Sequence, residues 1–187
     1  GVILVTINDR LGIFGFLAHP ELSAENPDGT SGNYGTYDQV AALKWVHDNI
    51  AQFGGNPDNI TVLGQSAGAA SIKNLVSSPL SKGMIRNAII QSGGGIGAVG
   101  NSKNAQKQAE SIGKEFMNHF GYNSLKAMRA VPAERLLEIF KAEGMNIFRP
   151  HIDGLLLTES FDDAARNQHL ADANYMKLRS EERSVGK

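Results

Sequence analysis

The chain has no cysteine among its 187 residues. That excludes disulfides, thiolate catalysis and Cys-ligated zinc, and it leaves the compartment open. There is no apolar run near the roughly 18 residues that a membrane span requires, and no basic segment followed by a long apolar stretch opens the chain. An excess of charge of one sign is also lacking, since 18 Lys and Arg stand against 19 Asp and Glu. No long-range field therefore favours nucleic acid or an anionic membrane, and the expected partner is small or uncharged. Repeats and low-complexity tracts are absent, and no motif calls for a cofactor or a metal.

What is present organises around residues 60–75, I-T-V-L-G-Q-S-A-G-A-A-S-I-K-N-L. A β-branched run meets Gly64-Gln65-Ser66-Ala67-Gly68, and an Ala-rich segment of helical character follows. The pattern predicts strand, sharp turn and helix. The turn fits G-x-S-x-G, a nucleophile elbow in which a strained corner presents the serine oxygen above a sheet. Ser66 is the candidate nucleophile. Gly64 and Gly68 are expected where chain segments cross so closely that a Cβ would clash. A Gly/Ser turn between strand and helix also occurs without chemistry, so the flanking residues decide.

A length of 187 residues suits one domain, able to bury roughly 70% of its unfolded surface. Residues 2–7, V-I-L-V-T-I, form a continuous apolar run of the kind buried on both faces in a parallel sheet, and a central strand is expected there. Because the chain enters that run at once after Gly1, it reads as a piece of a longer protein. Residues 8–33, rich in Gly, Pro, Asn and Asp, predict a long ordered loop. Between residues 37 and 53 the positions Val40, Leu43, Val46, Ile50 and Phe53 recur at helical steps, with Gly54-Gly55 as the stop.

Beyond the elbow, residues 88–91 read as another buried strand, ending in Ser92-Gly93-Gly94-Gly95. The glycines lack a clean G-x-G-x-x-G spacing and no helix follows at once, so a loop at the carboxyl edge of the sheet is expected rather than a phosphate cradle. Residues 101–120 predict a helix with Ala105, Ala109, Ile112, Phe116 and Phe120 on one face. A second helix is expected over residues 132–142 with Leu136, Leu137 and Phe140 inward. Residues 101–145 thus resemble a helical insertion or lid, residues 1–95 the nucleophile-bearing core, and 1–176 together one partial domain. Residues 148–154 read as an extended segment and turn, and residues 177–187 as an exposed tail of different character that need not be native.

Several blocks then agree. Residues 5–16 (V-T-I-N-D-R-L-G-I-F-G-F), the stretch S-G-N-Y-G-T-Y-D-Q-V-A-A-L-K-W-V-H-D-N-I from Ser31, F-G-G-N-P-D-N-I-T-V-L-G-Q-S-A-G from Phe53 and A-I-I-Q-S-G from Ala88 resemble the type-B carboxylesterases, the cholinesterase-like branch of the α/β-hydrolases. The likeness weakens after Ser92, returns at P-H-I-D-G from Pro150 and is faint at residues 173–176. Gln65, often Glu in eukaryotic relatives, is compatible with microbial ones. The resemblance implies an α/β fold with a mostly parallel central sheet and flanking helices. It implies a serine hydrolase that cleaves a small-molecule carboxylic ester through an acyl-enzyme. Ser66 would be the nucleophile, the backbone N–H of Ala67 an oxyanion donor, and Gly64, Gln65 and Gly68 the elbow. Asn33, Tyr34 and Gly35 would shape a nearby loop, Asp38 would anchor a helix start, and Gln91-Ser92-Gly93 would lie behind the serine. Asp9 replaces the usual aromatic residue and needs a partner such as Arg10 or a backbone donor.

Other parts of the family's machinery have no matched place. The resemblance implies the triad acid shortly after residue 176, where only Glu181 and Glu182 stand, and the histidine, which follows the acid in this fold, beyond Lys187. A Gly-rich second oxyanion loop would lie upstream of Val2. None of His19, His47, His119, His151 and His169 has a matched catalytic context, and loop or surface roles are expected for all five. The intact parent is then expected to be an esterase, whereas this chain alone is expected to be inactive and poorly soluble, with open sheet edges. Two other readings stay open: a non-catalytic cholinesterase-like binding module, and another α/β-hydrolase reaction such as lipase or peptidase action. Oligomeric state is left undetermined.

Overall fold

The computed structural model describes residues 1–93, 105–144 and 147–178. Three parallel strands form the sheet in the order β1-β2-β3: β1 (Thr61–Gln65), β2 (Asn87–Gln91) and β3 (Asn174–Leu178). The expected strands at the elbow and at residues 88–91 are thus present, paired in register Gly64 to Ile90 and Gln65 to Gln91. Helix α4 (Ala67–Ser77) connects β1 to β2 and packs on both, burying Ala69, Ile72, Leu75 and Val76. With Val40 and Leu43 of α3 (Tyr34–Asn49), Ala88 and Ile90 of β2, and Leu156, Leu157 and Ala171, these residues form one core.

A second core lies among helices. Here α1 (Gly12–Phe16), α5 (Ala105–His119), α6 (Leu125–Arg129) and α7 (Ala133–Glu143) enclose Ile13, Phe116, Met117, Met128, Ile139, Phe140 and Phe148. Phe148 stacks on Phe140 with centroids 5.8 Å apart and meets the Phe116 ring edge-on at 5.1 Å. Helix α5 comes so close to the chain at Ala18 that a Cβ on Gly113 would overlap the Ala18 carbonyl. Helix α8 (Phe161–Arg166), capped by the Ser160 hydroxyl, packs against α4.

Several expectations need correction. Residues 2–7 form no strand and lie exposed, Val2 at 95% and Leu4 at 78%. A strand requires a partner row of N–H and C=O groups, and no described residue supplies one here: β1 ends the sheet and its other side is unpaired. The loop expected over residues 8–33 contains α1 and also α2 (Pro20–Glu25). Pro20 stands at the first helical position and His19 caps it, so Pro20 starts a helix rather than breaking one. Helix α3 gives way to a 3-10 turn over Ile50–Phe53, which swings Phe53 outward beside Trp45, at 6.0 Å between centroids. On α5 the buried face runs through Ala105, Gly113, Phe116 and Met117, leaving Ile112 exposed. On α7 Ile139 is inward and Leu137 outward. Lys177 and Leu178 belong to β3 and not to a tail; residues 179–187 lie outside the described residues.

Candidate active site

Strand β1 ends at Gln65 and α4 begins at Ala67, so Ser66 alone makes the corner. Its backbone sits at φ 55°, ψ −116°, a region that a residue with a Cβ occupies only under strain. Two hydrogen bonds hold it there: Ser66 N–H donates to the Gln91 carbonyl at 2.9 Å, and Ala70 N–H donates to the Ser66 carbonyl at 3.1 Å. The side chain makes no capping bond to α4, and the residue is exposed. The hydroxyl is thereby left free of helix capping at the carboxyl end of β1, above the amino end of α4. Ala67 opens α4, where first-turn N–H groups lack intrahelical acceptors and carry the positive end of the helix dipole.

The two elbow glycines are not equivalent. A Cβ on Gly64 would run into the Gly68 carbonyl group and the Ala69 nitrogen, all backbone atoms that cannot move aside. Gly68 has open space on its Cβ side, so the clash expected there is absent: the chain crosses closely on one side of the corner only. Gln65 is exposed at the end of β1.

The neighbouring strand repeats the arrangement in part. Gln91 ends β2 in register with Gln65, and Ser92, which follows it, has a positive φ like Ser66, 52°. Its N–H donates to the Leu178 carbonyl at 2.9 Å. Gly93 then passes α4 so tightly that a Cβ would lie 2.9 Å from the Cβ of Ala69. The sequence carried a signal for this strain, Gln-Ser followed by a small residue at the end of two predicted strands, but spacing alone does not report backbone angles.

The supporting residues find particular partners. Asn33, just before α3, donates to the His151 carbonyl at 2.8 Å and to Asp153 at 2.9 Å, and accepts from His151 N–H at 3.0 Å. Asp38 takes the Arg10 guanidinium at 2.7 and 2.8 Å and the Arg10 N–H at 2.9 Å. That hydrogen bonding holds the Asp38 carboxyl below the usual aspartate range. Asp9 does not use Arg10: Gln39 donates to it at 2.7 Å.

All five histidines are described, and each has a partner away from Ser66. His47 meets Asp48 at 3.3 Å, His119 meets Glu143 at 3.1 Å and His169 meets Glu159 at 2.6 Å. His19 caps α2, and His151 meets Gln106 at 2.8 Å. The last two lie in loop segments, as expected, but are buried, at 5% and 4% exposure, and each is hydrogen-bonded to a polar group from another part of the chain. Glu181 and Glu182 lie outside the described residues. Among the described residues no group of three or more His, Asp or Glu side chains is placed to hold a metal ion, and no helix is long and apolar enough to cross a membrane.

With this geometry in view, the chain's likeness to known proteins can be placed. A family model described as the Carboxylesterase family matches residues 1–178. Fumonisin B1 esterase of Sphingopyxis macrogoltabida is 56% identical over 94 residues, covering 50% of the chain and 17% of that protein. Para-nitrobenzyl esterase of Bacillus subtilis is 42% identical over 173 residues, covering 87% of the chain and 33% of that protein. The crystal structure of the carboxylesterase EST55 of Geobacillus stearothermophilus at pH 6.8 superposes with a TM-score of 0.77 at 35% identity, over 91% of the chain and 36% of that structure. The chain therefore spans a third or less of the length of these two relatives.

Proposed function

The chain belongs to the carboxylesterase family, and from that premise we propose that Ser66 is the nucleophile of a serine hydrolase that cleaves small-molecule carboxylic esters through an acyl-enzyme. The observation that carries this reading is the strained, exposed Ser66 between the parallel strand β1 and the amino end of α4. A serine hydroxyl attacks an ester carbonyl only when a base removes its proton, and the oxyanion formed needs fixed donors close by. The Ala67 N–H is the donor this chain supplies. As the ester carbon becomes tetrahedral its oxygen gains negative charge, and the helix dipole of α4 favours that charge without any rearrangement.

The base is the missing piece. Every histidine of this chain is engaged elsewhere, and the second oxyanion loop and the triad acid have no counterpart among the described residues. Loss of a triad histidine costs on the order of a millionfold in turnover. The 187-residue chain by itself is therefore inactive in this reading, and a protein of the relatives' full length supplies the base. Purified 187-residue chain should hydrolyse p-nitrophenyl acetate no faster than its Ser66→Ala variant. Turnover that disappears in Ser66→Ala would overturn the proposed inactivity. In the full-length protein a fluorophosphonate probe should form an adduct on Ser66. No serine adduct there would favour a non-catalytic binding module instead.

A further inference from the structure

We propose that Asp28 is a self-modification site, where the main chain rearranges through a succinimide to an isoaspartyl link, and that the fold exposes this Asp-Gly pair while sheltering the other one. The sequence has two such pairs, Asp28-Gly29 and Asp153-Gly154, and no Asn-Gly. The chemistry needs only solvent water. The Gly29 nitrogen attacks Cγ of Asp28; an N–Cγ bond forms, a Cγ–O bond breaks, and the proton of the nitrogen leaves with that oxygen as water. Water then adds to one of the two imide carbonyls. Addition at Cγ breaks the N–Cγ bond and restores aspartate. Addition at the main-chain carbonyl of Asp28 breaks the original peptide bond and leaves isoaspartate. Glycine permits the closure because no side chain crowds the attacking nitrogen.

The two glycines are alike. Both are exposed, at φ 69° and 83°, with open space where a Cβ would stand. Each N–H closes a turn, Gly29 onto the Asn26 carbonyl at 2.9 Å and Gly154 onto the Leu157 carbonyl at 3.0 Å. The attacking nitrogen therefore does not separate the two sites.

The carboxylates do. Asp153 Oδ1 accepts the N–H groups of Leu155, Leu156 and Leu157 at 3.0, 2.9 and 3.0 Å, and Oδ2 accepts the Asn33 amide at 2.9 Å. Both oxygens are held, so Cγ turns toward the Gly154 nitrogen only when those bonds break. Asp28 is exposed, and its carboxylate has no hydrogen bond or ion pair among the described residues. Its N–H is bound, to Asn26 Oδ1 at 3.2 Å, but the side chain is free to turn.

The product would reach the core. Asn26 brackets this turn by donating to the Thr30 carbonyl at 2.8 Å and the Thr30 hydroxyl at 3.3 Å. Thr30, Ser31 and Asn33 behind it are buried. An isoaspartyl link adds a methylene to the main chain between Asn26 and Thr30 and forces the bracket apart. It also leaves a free α-carboxylate, the group that isoaspartyl methyltransferases take as acceptor.

Ageing the 187-residue chain in heavy-oxygen water, then digesting it in ordinary water for mass spectrometry, tests this. Each passage through the imide leaves a labelled oxygen, and electron-transfer fragmentation separates isoaspartate from aspartate at each position. Freeing the Asp153 carboxylate breaks several bonds to a charged acceptor, so label should enter residue 28 at least about a hundredfold faster than residue 153. In urea those bonds are gone, and the ratio should fall to about one. Asp28→Glu, which would have to close a larger ring, should remove the signal at that position. Should the 187-residue chain precipitate, the same ratio is read on the full-length protein. Equal rates at the two pairs in the folded chain, or a residue 28 that reacts only in urea, overturn the proposal.

Discussion

Two apolar runs of similar composition have opposite fates in this molecule. Of residues 60–65, Thr61–Gln65 become β1, paired along their length with β2. Residues 2–7, richer still in β-branched side chains, stay unpaired and exposed. Propensity is the same, so the difference lies in the partner. β1 has Arg86 and Asn87 donating to Ile60, the β2 ladder beside it and α4 folding back on one face. Ile3 comes close to Gly55, but among the described residues no row of backbone groups pairs with residues 2–7. An apolar, β-branched sequence marks where a strand can form. A neighbouring strand decides that it does.

The largest expected contrast between the two regions is in the cost of removing a side chain. Ile90→Ala, in the buried middle of β2 at 2% exposure, should cost about 3–4 kcal/mol of stability. Val5→Ala, at 41% exposure, should stay within about 0.5 kcal/mol. Urea unfolding of the 187-residue chain measures both, and equal losses would mean that residues 2–7 are packed in solution.

Next in size is the corner itself. Gly64→Ala forces a methyl group against the backbone of Gly68 and Ala69 and should cost about 2–3 kcal/mol. Gly68→Ala meets no neighbour in the first turn of α4 and should gain up to about 1 kcal/mol from helix propensity. Paired thermal melts would show opposite shifts. A loss at Gly68 would restore the two-sided crossing expected from the motif.

The smallest effect concerns the ion pair that ties Arg10, just past the exposed run, to α3. Asp38→Asn keeps the shape but removes the ion pair to Arg10, at side-chain exposures of 53% and 27%, so solvent screening limits the loss to under about 1 kcal/mol. Arg10 lowers the Asp38 value, so the contribution is present above the ordinary 3.8 and is lost as the pH falls through the folded value. The difference between wild type and Asp38→Asn should therefore narrow on acidification below about 4. Urea midpoints at pH 7 and pH 3 check it.

By itself the sequence determined the strand, corner and helix around Ser66, the second strand at residues 88–91, the parallel α/β class and the family. All of these are written in short-range patterns: β-branched runs, the G-x-S-x-G pentapeptide, helical spacing in α3 and block order along the chain. Tertiary structure alone decided that residues 2–7 are not a strand and that only one elbow glycine is sterically required. It also decided that β3 forms from residues whose pattern gave no strand, and that Asp9 is held by Gln39 and His151 by Gln106. The physical reason is distance along the chain. Asp9 meets its partner 30 residues away, Gln106 meets His151 across 45 and Asn33 meets it across 118. No periodicity or motif records which groups meet across such spans. Burial then makes those meetings obligatory, since a polar group taken from water must find a partner wherever the fold provides one.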